Sequence, residues 1–272
     1  MLNSRVITAG LLAPTVVVGV YFLPVEQIAA LLGIFLVIAA WEWSGLLGWQ
    51  RPIARVAYGA FVALPAFVVW RWRAAEAWSS ALHLLALAWW STALLFVVAA
   101  QRQRLGKYVS FASNGATGLM VLLPAWSAII WLLTTDRTML LSLFVLIWIA
   151  DSAAFYCGRR WGRRRLASNV SPGKSWEGVA AGLGFGAVCA VVISYATQRS
   201  VGAQIPFIAL AMAAIIASVV GDLFESMLKR NIGAKDSGQV LPGHGGVMDR
   251  IDGLVAAAPV FSAGLYYWVN RL

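Results

Sequence analysis

The sequence predicts an all-α integral membrane protein, and three observations carry that expectation. Of the 272 residues, 61% are hydrophobic and 12% are charged, about half the charged share of a soluble domain. Uncharged apolar stretches recur along the whole chain, many approaching the ~20 residues that a spanning helix needs. Threading them alternately through a bilayer gathers the Lys and Arg residues on one side. A soluble globule of this composition lacks the polar residues to cover its exterior, and a disordered chain is poor in apolar residues. Cys157 and Cys189 are far apart, without the paired spacing of a disulfide or zinc scaffold, and they read as packing residues. The net charge of +10 reads as cytoplasmic loops beside anionic lipid, with no nucleic-acid partner.

Nine spans follow in order. The first is 6–25, too long and too rich in Pro for a signal peptide. The second is 27–41, running on past Glu42, and the third is 56–70. Both are short, so a re-entrant hairpin is the alternative for them. The fourth is 77–101, the fifth lies in 108–135 from about Ala112, and the sixth is 138–150, extended through Asp151 towards Gly158. The seventh is 178–198, the eighth 200–221 and the ninth 253–270. With the N-terminus in the cytoplasm and the C-terminus on the far side, sixteen of the 21 Lys and Arg residues fall on the cytoplasmic side. Residues 1–137 then form a transmembrane scaffold of about five helices. Residues 138–272 form a catalytic part with cytoplasmic loops at 159–177 and 222–252.

The chemistry gathers in that second part. Seven of the eleven acidic residues, Asp151, Glu177, Asp222, Glu225, Asp236, Asp249 and Asp252, belong to or border the two long loops. If the eighth helix continues inward, Asp222, Ser226 and Lys229 share one face with Glu225 beside them. That set suits a divalent cation and a phosphate; a helix end with salt-bridged charges is the alternative. Around His244, Gly243, Gly245 and Gly246 let backbone amides approach a phosphate. Asp249 and Asp252 lie one helical turn apart and offer hard oxygens to Mg²⁺, which keeps waters and takes substrate phosphates as well. Arg250 offers a fork for phosphate oxygens. Ser171, Lys174 and Ser175 are read as a short phosphate-binding loop before a helix, with Ser175 as a plain N-cap the alternative. A Walker site is rejected there, because residue 168 is Ser and no strand is expected before it. Asp151 sits inside a span and should face a polar interior, and the arginine run from Arg159 to Arg165 should touch anionic lipid.

These segments resemble the phosphatidate cytidylyltransferase (CDP-diacylglycerol synthase) family. The match runs through all 27 residues of Ser226-x-Leu-Lys-Arg-x4-Lys-Asp-x-Gly-x2-Leu-Pro-x-His-Gly-Gly-Val-x-Asp-Arg-Ile-Asp252. Gly221-Asp222, Ser171-Pro-Gly-Lys-Ser-Trp-Glu-Gly178 and Asp151-Ser-Ala-Ala154 are similar to family segments too. Ala153 and Phe155 stand where the family usually has Gly and Tyr, and Tyr156 lies on a different helical face. The resemblance implies that CTP and phosphatidic acid give CDP-diacylglycerol and pyrophosphate, with one Mg²⁺ ion or two. It implies Asp222 and Asp249 as principal metal ligands, with Glu225, Ser226 or Asp252 assisting. Lys229, Arg230, Lys235 and Arg250 would steady the triphosphate and the lipid phosphate. His244, Gly245 and Gly246 would close over the nucleotide, and Lys174 with Ser171 and Ser175 would reach in from the other loop. The family also implies a homodimer among membrane lipids, in a bacterial-type inner membrane with the site facing the cytoplasm. The alternatives are a CTP-dependent polyprenol-type lipid kinase, which releases CDP instead of pyrophosphate, and a secondary transporter, which would place its charges at mid-membrane.

Overall fold

The computed structural model describes residues 14–73, 76–102, 114–240 and 245–267. Its elements are α1 (Val25–Leu46), α2 (Pro52–Arg71), α3 (Glu76–Gln101), α4 (Gly115–Thr135), α5 (Arg137–Trp161), β1 (Arg165–Ala167), β2 (Ser171–Ser175), α6 (Trp176–Ala196), α7 (Val201–Asn231), α8 (Met248–Ile251) and α9 (Leu254–Tyr267). Residues 14–22 are also helical. Among the described residues, seven helices, α1 to α7, are long and apolar enough to cross a membrane. The start of the first expected span, the end of the ninth, and Gly243 and His244 lie outside the described residues.

The helices overrun the apolar stretches that signal them, because polar residues near their ends are accommodated inside the bundle. α1 continues past Glu42, which is wholly buried. α2 starts at Pro52 and takes in Arg55, whose guanidinium lies over the Trp41 ring and donates to the Trp41 carbonyl at the end of α1. The two pack together, and each is long and apolar enough to cross a membrane. α7 runs ten residues beyond the expected end at Gly221, to Asn231. Helical spacing therefore holds from Asp222 to Arg230.

Polar contacts sort the helix ends into two groups. At one end Trp43 and Tyr58 donate to the Asn114 and Gly115 carbonyls, joining α1 and α2 to the start of α4. The Gln101 side chain, at the end of α3, donates to Ser168 and accepts from the Asn169 N–H between the two strands. At the other end Arg137 donates to the carbonyls of Val20, Tyr21 and Leu23. α4 is the most enclosed helix, while α2 and α6 keep most of their surface outward. Trp43, Phe207, Phe224 and Phe261 are the largest fully buried side chains.

The expectation of a loop with no strand at 165–175 is corrected. Strands β1 and β2 form an antiparallel hairpin with Arg165 opposite Ser175 and Ala167 opposite Ser171. The reversal at 168–170 brings Arg165–Ala167 back alongside Ser171–Ser175, and its backbone groups pair there. β2 leads straight into α6, whose N-cap is Ser175.

The tightest packing joins α5 to α6, and small residues permit it. The buried edge of α6 is Gly178, Gly182, Gly186, Ala190 and Ser194, every fourth residue. Such ladders let membrane helices approach to backbone contact. A Cβ on Gly178 would stand 2.7 Å from the Ala154 carbonyl oxygen, and one on Gly182 3.0 Å from that of Ala150. Gly184, on the outward face, has nothing within 4 Å. Gly178→Ala is therefore expected to cost about 1–3 kcal/mol of stability by overpacking. Gly184→Ala should be neutral or slightly stabilising. Thermal unfolding of the two detergent-purified variants checks this, and equal midpoints would contradict the packing account.

Candidate active site

Three pieces of chain meet where α5, α6 and α7 end or begin. α5 contributes Asp151, the hairpin contributes Lys174, and α7 contributes Asp222, Glu225, Ser226 and Lys229. The segment from Ser237 to Asp252 completes the site. Its last residues lean on α7 because small residues face each other. A Cβ on Gly221 would collide with the Asp252 carbonyl oxygen, and one on Gly253 would approach Ser218 Oγ within 2.5 Å.

Lys174 Nζ is 2.5 Å from Asp222 Oδ2 and so joins the hairpin to α7. Asp222 Oδ1 accepts from Ser226 Oγ at 3.3 Å, one turn on. Asp151 keeps an exposed surface and has Lys174, Asp222 and Ser218 as its neighbours. The Lys174 and Asp222 side chains are 25% and 35% exposed, so their pairing contributes at most about 1 kcal/mol to stability. Its value is positional.

Lys229 is the deeper cation. Its Nζ lies 2.6 Å from Asp249 Oδ1 and 3.5 Å from Glu225 Oε1. Asp249 Oδ2 accepts from the Gly246 N–H at 2.9 Å, the Ser237 N–H at 2.9 Å and Ser237 Oγ at 3.0 Å. Burial pushes the Asp249 carboxyl up, but the Lys229 ammonium and these two N–H groups outweigh it and hold the group below its ordinary range. Burial pushes Asp252 up to about 7, and the negative charge of Asp222 adds to it. Both Glu225 carboxylate oxygens are buried and, among the described residues, accept no hydrogen bond.

Five carboxylates, Asp151, Asp222, Glu225, Asp249 and Asp252, thus share the region with two ammonium groups. Among the described residues no three His, Cys, Asp or Glu side chains stand in ready metal-ligand geometry. A surplus of hard oxygens with orphaned acceptors fits a divalent cation that brings substrate phosphates as its remaining ligands. The ammonium groups on Asp222 and Asp249 mark where positive charge already collects.

The expected residues divide clearly. Asp151, Lys174, Asp222, Glu225, Ser226, Lys229, Gly246, Asp249 and Asp252 come together. Gly245 lies beside Asp249 with a φ of 84°, which favours glycine, and a Cβ there would stand 2.8 Å from Asp249 Oδ2. Ser175 caps α6 by accepting from the Gly178 N–H at 3.2 Å, and Ser171 opens β2. Arg230, Lys235 and Arg250 are exposed at the rim. His244 lies outside the described residues. Three contributors were missed in the sequence. Glu177 accepts from the Arg163 and Arg164 N–H groups and holds the root of the hairpin. Ser237 clasps Asp249. Glu42, from the first half of the chain, accepts from the Val247 and Met248 N–H groups at 3.0 and 2.8 Å. An acid within an apolar run was the available signal for Glu42. A separate concavity of about 530 Å³, lined by Asp136, Thr138, Met139 and Arg199 among others, lies at the opposite end of the bundle.

The sequence pattern described as the cytidylyltransferase family matches residues 3–268. A phosphatidate cytidylyltransferase of Pseudomonas aeruginosa is 38% identical over 270 residues, covering 98% of this chain and 97% of the relative. One of Haemophilus influenzae is 36% identical over 293 aligned residues, covering 99% and 100%. One of Thermotoga maritima is 43% identical over 118 residues, covering 42% and 43%.

Lys229 is 12% exposed, between Glu225 at 2% and Asp249 at 10%. Lys229→Met strands two buried carboxylates and is expected to cost about 3–5 kcal/mol. Adding Glu225→Gln should restore part of that loss. Thermal unfolding of the single and double variants tests the assignment, and strictly additive losses would contradict it.

Proposed function

Because this chain belongs to the cytidylyltransferase family, we propose that it transfers the cytidylyl group of CTP to phosphatidate, giving CDP-diacylglycerol and pyrophosphate. One observation carries the reading. The near full-length relatives are phosphatidate cytidylyltransferases, and the segment from Asp222 to Asp252 is the one that assembles the ionic cluster. Neither a lipid kinase nor a transporter finds support among the relatives.

The lipid phosphate is a competent nucleophile, so no covalent enzyme intermediate is required. One of its oxygens attacks the α-phosphorus of CTP, and the bond to the departing pyrophosphate breaks in line. The protein's task is to hold two anions in attacking geometry and offset their repulsion. Lys174 comes from the hairpin and Lys229 from α7, with their ammonium groups held by Asp222 and Asp249. Asp222 and Asp249, assisted by Ser226, Glu225 or Asp252, would hold Mg²⁺. Bound there, Mg²⁺ supplies charge neutralisation on phosphate oxygens. Arg230, Lys235 and Arg250, exposed at the rim, lend positive charge to the triphosphate and the lipid phosphate. Gly245 and Gly246, with His244 outside the described residues, would close over the nucleotide phosphates.

The cleft faces the cytoplasm in this reading, with the N-terminus on the same side and the C-terminus opposite. The bias of Lys and Arg towards that side supports it. The protein is a homodimer in a bacterial-type inner membrane, and light scattering of the solubilised protein distinguishes two copies from one.

The deciding experiment supplies purified protein with phosphatidic acid, Mg²⁺ and CTP labelled at the α-phosphate. Label should enter a lipid with equimolar pyrophosphate released, and chelation should stop it. Asp222→Asn and Asp249→Asn should each lower turnover about 100-fold or more. Release of CDP with a polyprenol acceptor would replace the reading with a kinase. Near-normal turnover of both variants at saturating Mg²⁺ would overturn the metal assignment.

A further inference from the structure

The first half of the chain reaches the cleft through an acid that none of the steps above uses. Glu42 lies four residues before the end of α1 and is 0% exposed. A carboxylate withdrawn from water is costly unless hydrogen bonds satisfy it, and here they do. Oε1 accepts from the Val247 N–H at 3.0 Å, and Oε2 accepts from the Met248 N–H at 2.8 Å. Ser237 Oγ stands within donating distance of both Asp249 Oδ2, at 3.0 Å, and Glu42 Oε2, at 3.3 Å. The chain leaves room for this approach. A Cβ on Gly238 would come within 2.5 Å of Glu42 Oε1, and one on Gly246 within 2.6 Å of Oε2.

Every group that Glu42 holds is next to something that sets Asp249. Val247 and Met248 lead directly into it. Ser237 and Gly246 both donate to its Oδ2. The other oxygen of Asp249 faces Lys229. Glu42 thus ties Ser237, Val247 and Met248 to α1, and these residues flank the groups that hold Asp249 beside Lys229.

We propose that Glu42 is a positioning residue of the transfer reaction: it pins Ser237, Val247 and Met248 to α1 so that Asp249 and Lys229 are held in register with the reacting phosphates. The inference rests on the cytidylyl-transfer reading and adds to it a requirement on the N-terminal half of the chain. A displacement of about 1 Å at the reacting groups can cost about 100-fold in rate, so loss of the clamp should appear in turnover.

The test compares the full-length protein with Glu42→Gln, Glu42→Asp and Gly238→Ala in detergent. Glu42→Gln keeps the shape but turns one acceptor into a donor facing an N–H group. It should fold, and its kcat should fall about 10- to 100-fold while KM for CTP changes far less. Gly238→Ala pushes on the same carboxylate from the other side and should also lower kcat. The double variant should lose less than the product of the two, since both act through one contact. Hydrogen exchange supplies a second readout: the Val247 and Met248 amides should be protected in the parent protein and lose protection in Glu42→Gln. If Glu42→Gln does not fold, Glu42→Asp and Gly238→Ala carry the same comparison. Wild-type kcat in Glu42→Gln, or unchanged amide protection, would overturn the proposal while leaving the transfer reading intact. A parent protein that forms no labelled lipid would overturn both.

Discussion

Carboxylates cannot be gathered at the end of an apolar bundle unless something answers their charge, and the site is built around that constraint. Lys229 lies between Glu225 and Asp249, and Lys174 crosses the cleft to Asp222. Backbone N–H groups of Ser237 and Gly246 carry the other oxygen of Asp249. Positive charge is still short of negative charge. The surplus falls on Glu225, whose buried oxygens have the Lys229 ammonium no nearer than 3.5 Å, and on Asp252, whose carboxyl is pushed up to about 7 by burial and the charge of Asp222. A site left under-compensated in this way is arranged to receive cations and their phosphates. A fully paired site would be arranged only to be stable.

Small residues let those charges meet. Gly221 allows the Asp252 backbone to touch α7, and Gly253 lies against Ser218. Gly178 and Gly182 bring α6 onto the carbonyls of α5, which places the hairpin and Lys174 beside α7. Aromatic packing then stiffens the base of the cluster. Phe224, next to Glu225, stacks on Trp43 and meets Trp89 and Trp90 edge-on, with centroids 5.8 and 5.9 Å away. Trp43 belongs to α1, and Trp89 and Trp90 belong to α3. The first half of the chain therefore supports the ionic cluster twice, once through these rings and once through the polar grips of Glu42 and Gln101.

Much of this was legible in the residues. Apolar stretches located the long helices, and the spacing of Asp222, Ser226 and Lys229 placed them on one face, as the extension of α7 requires. The 27-residue signature picked out the segment that closes the cluster. Other features escaped for physical reasons. Running the second span past Glu42 did not reveal its partners, because a buried carboxylate can be satisfied by backbone N–H groups far along the chain, so the role of Glu42 was not visible. The hairpin at Arg165–Ser175 has only short strands, and its pairing depends on the tertiary anchor supplied by Gln101 rather than on alternation. The fourfold spacing of Gly178, Gly182 and Gly186 was present in the sequence, but apolar content alone does not distinguish a packing edge from a lipid-facing one.

The length of α7 gives the cluster its depth. At 1.5 Å per residue its 31 residues extend about 46 Å, against a hydrocarbon core of about 30 Å. If Val201 starts near one edge of that core, Asp222 stands about 31 Å along, at the opposite edge. Glu225 and Lys229 then follow about 5 and 10 Å further out, within the headgroup layer. A phospholipid keeps its phosphate in that layer while its acyl chains remain in the core. The acids are therefore spared the centre of the bilayer, where charge is most costly, yet they are too shallow to require the lipid to leave the membrane. A soluble nucleotide can reach the same level from the water side, where Arg230, Lys235 and Arg250 are exposed. On the proposed reading, a single helix that outruns the bilayer would set the two phosphates of the reaction at one height.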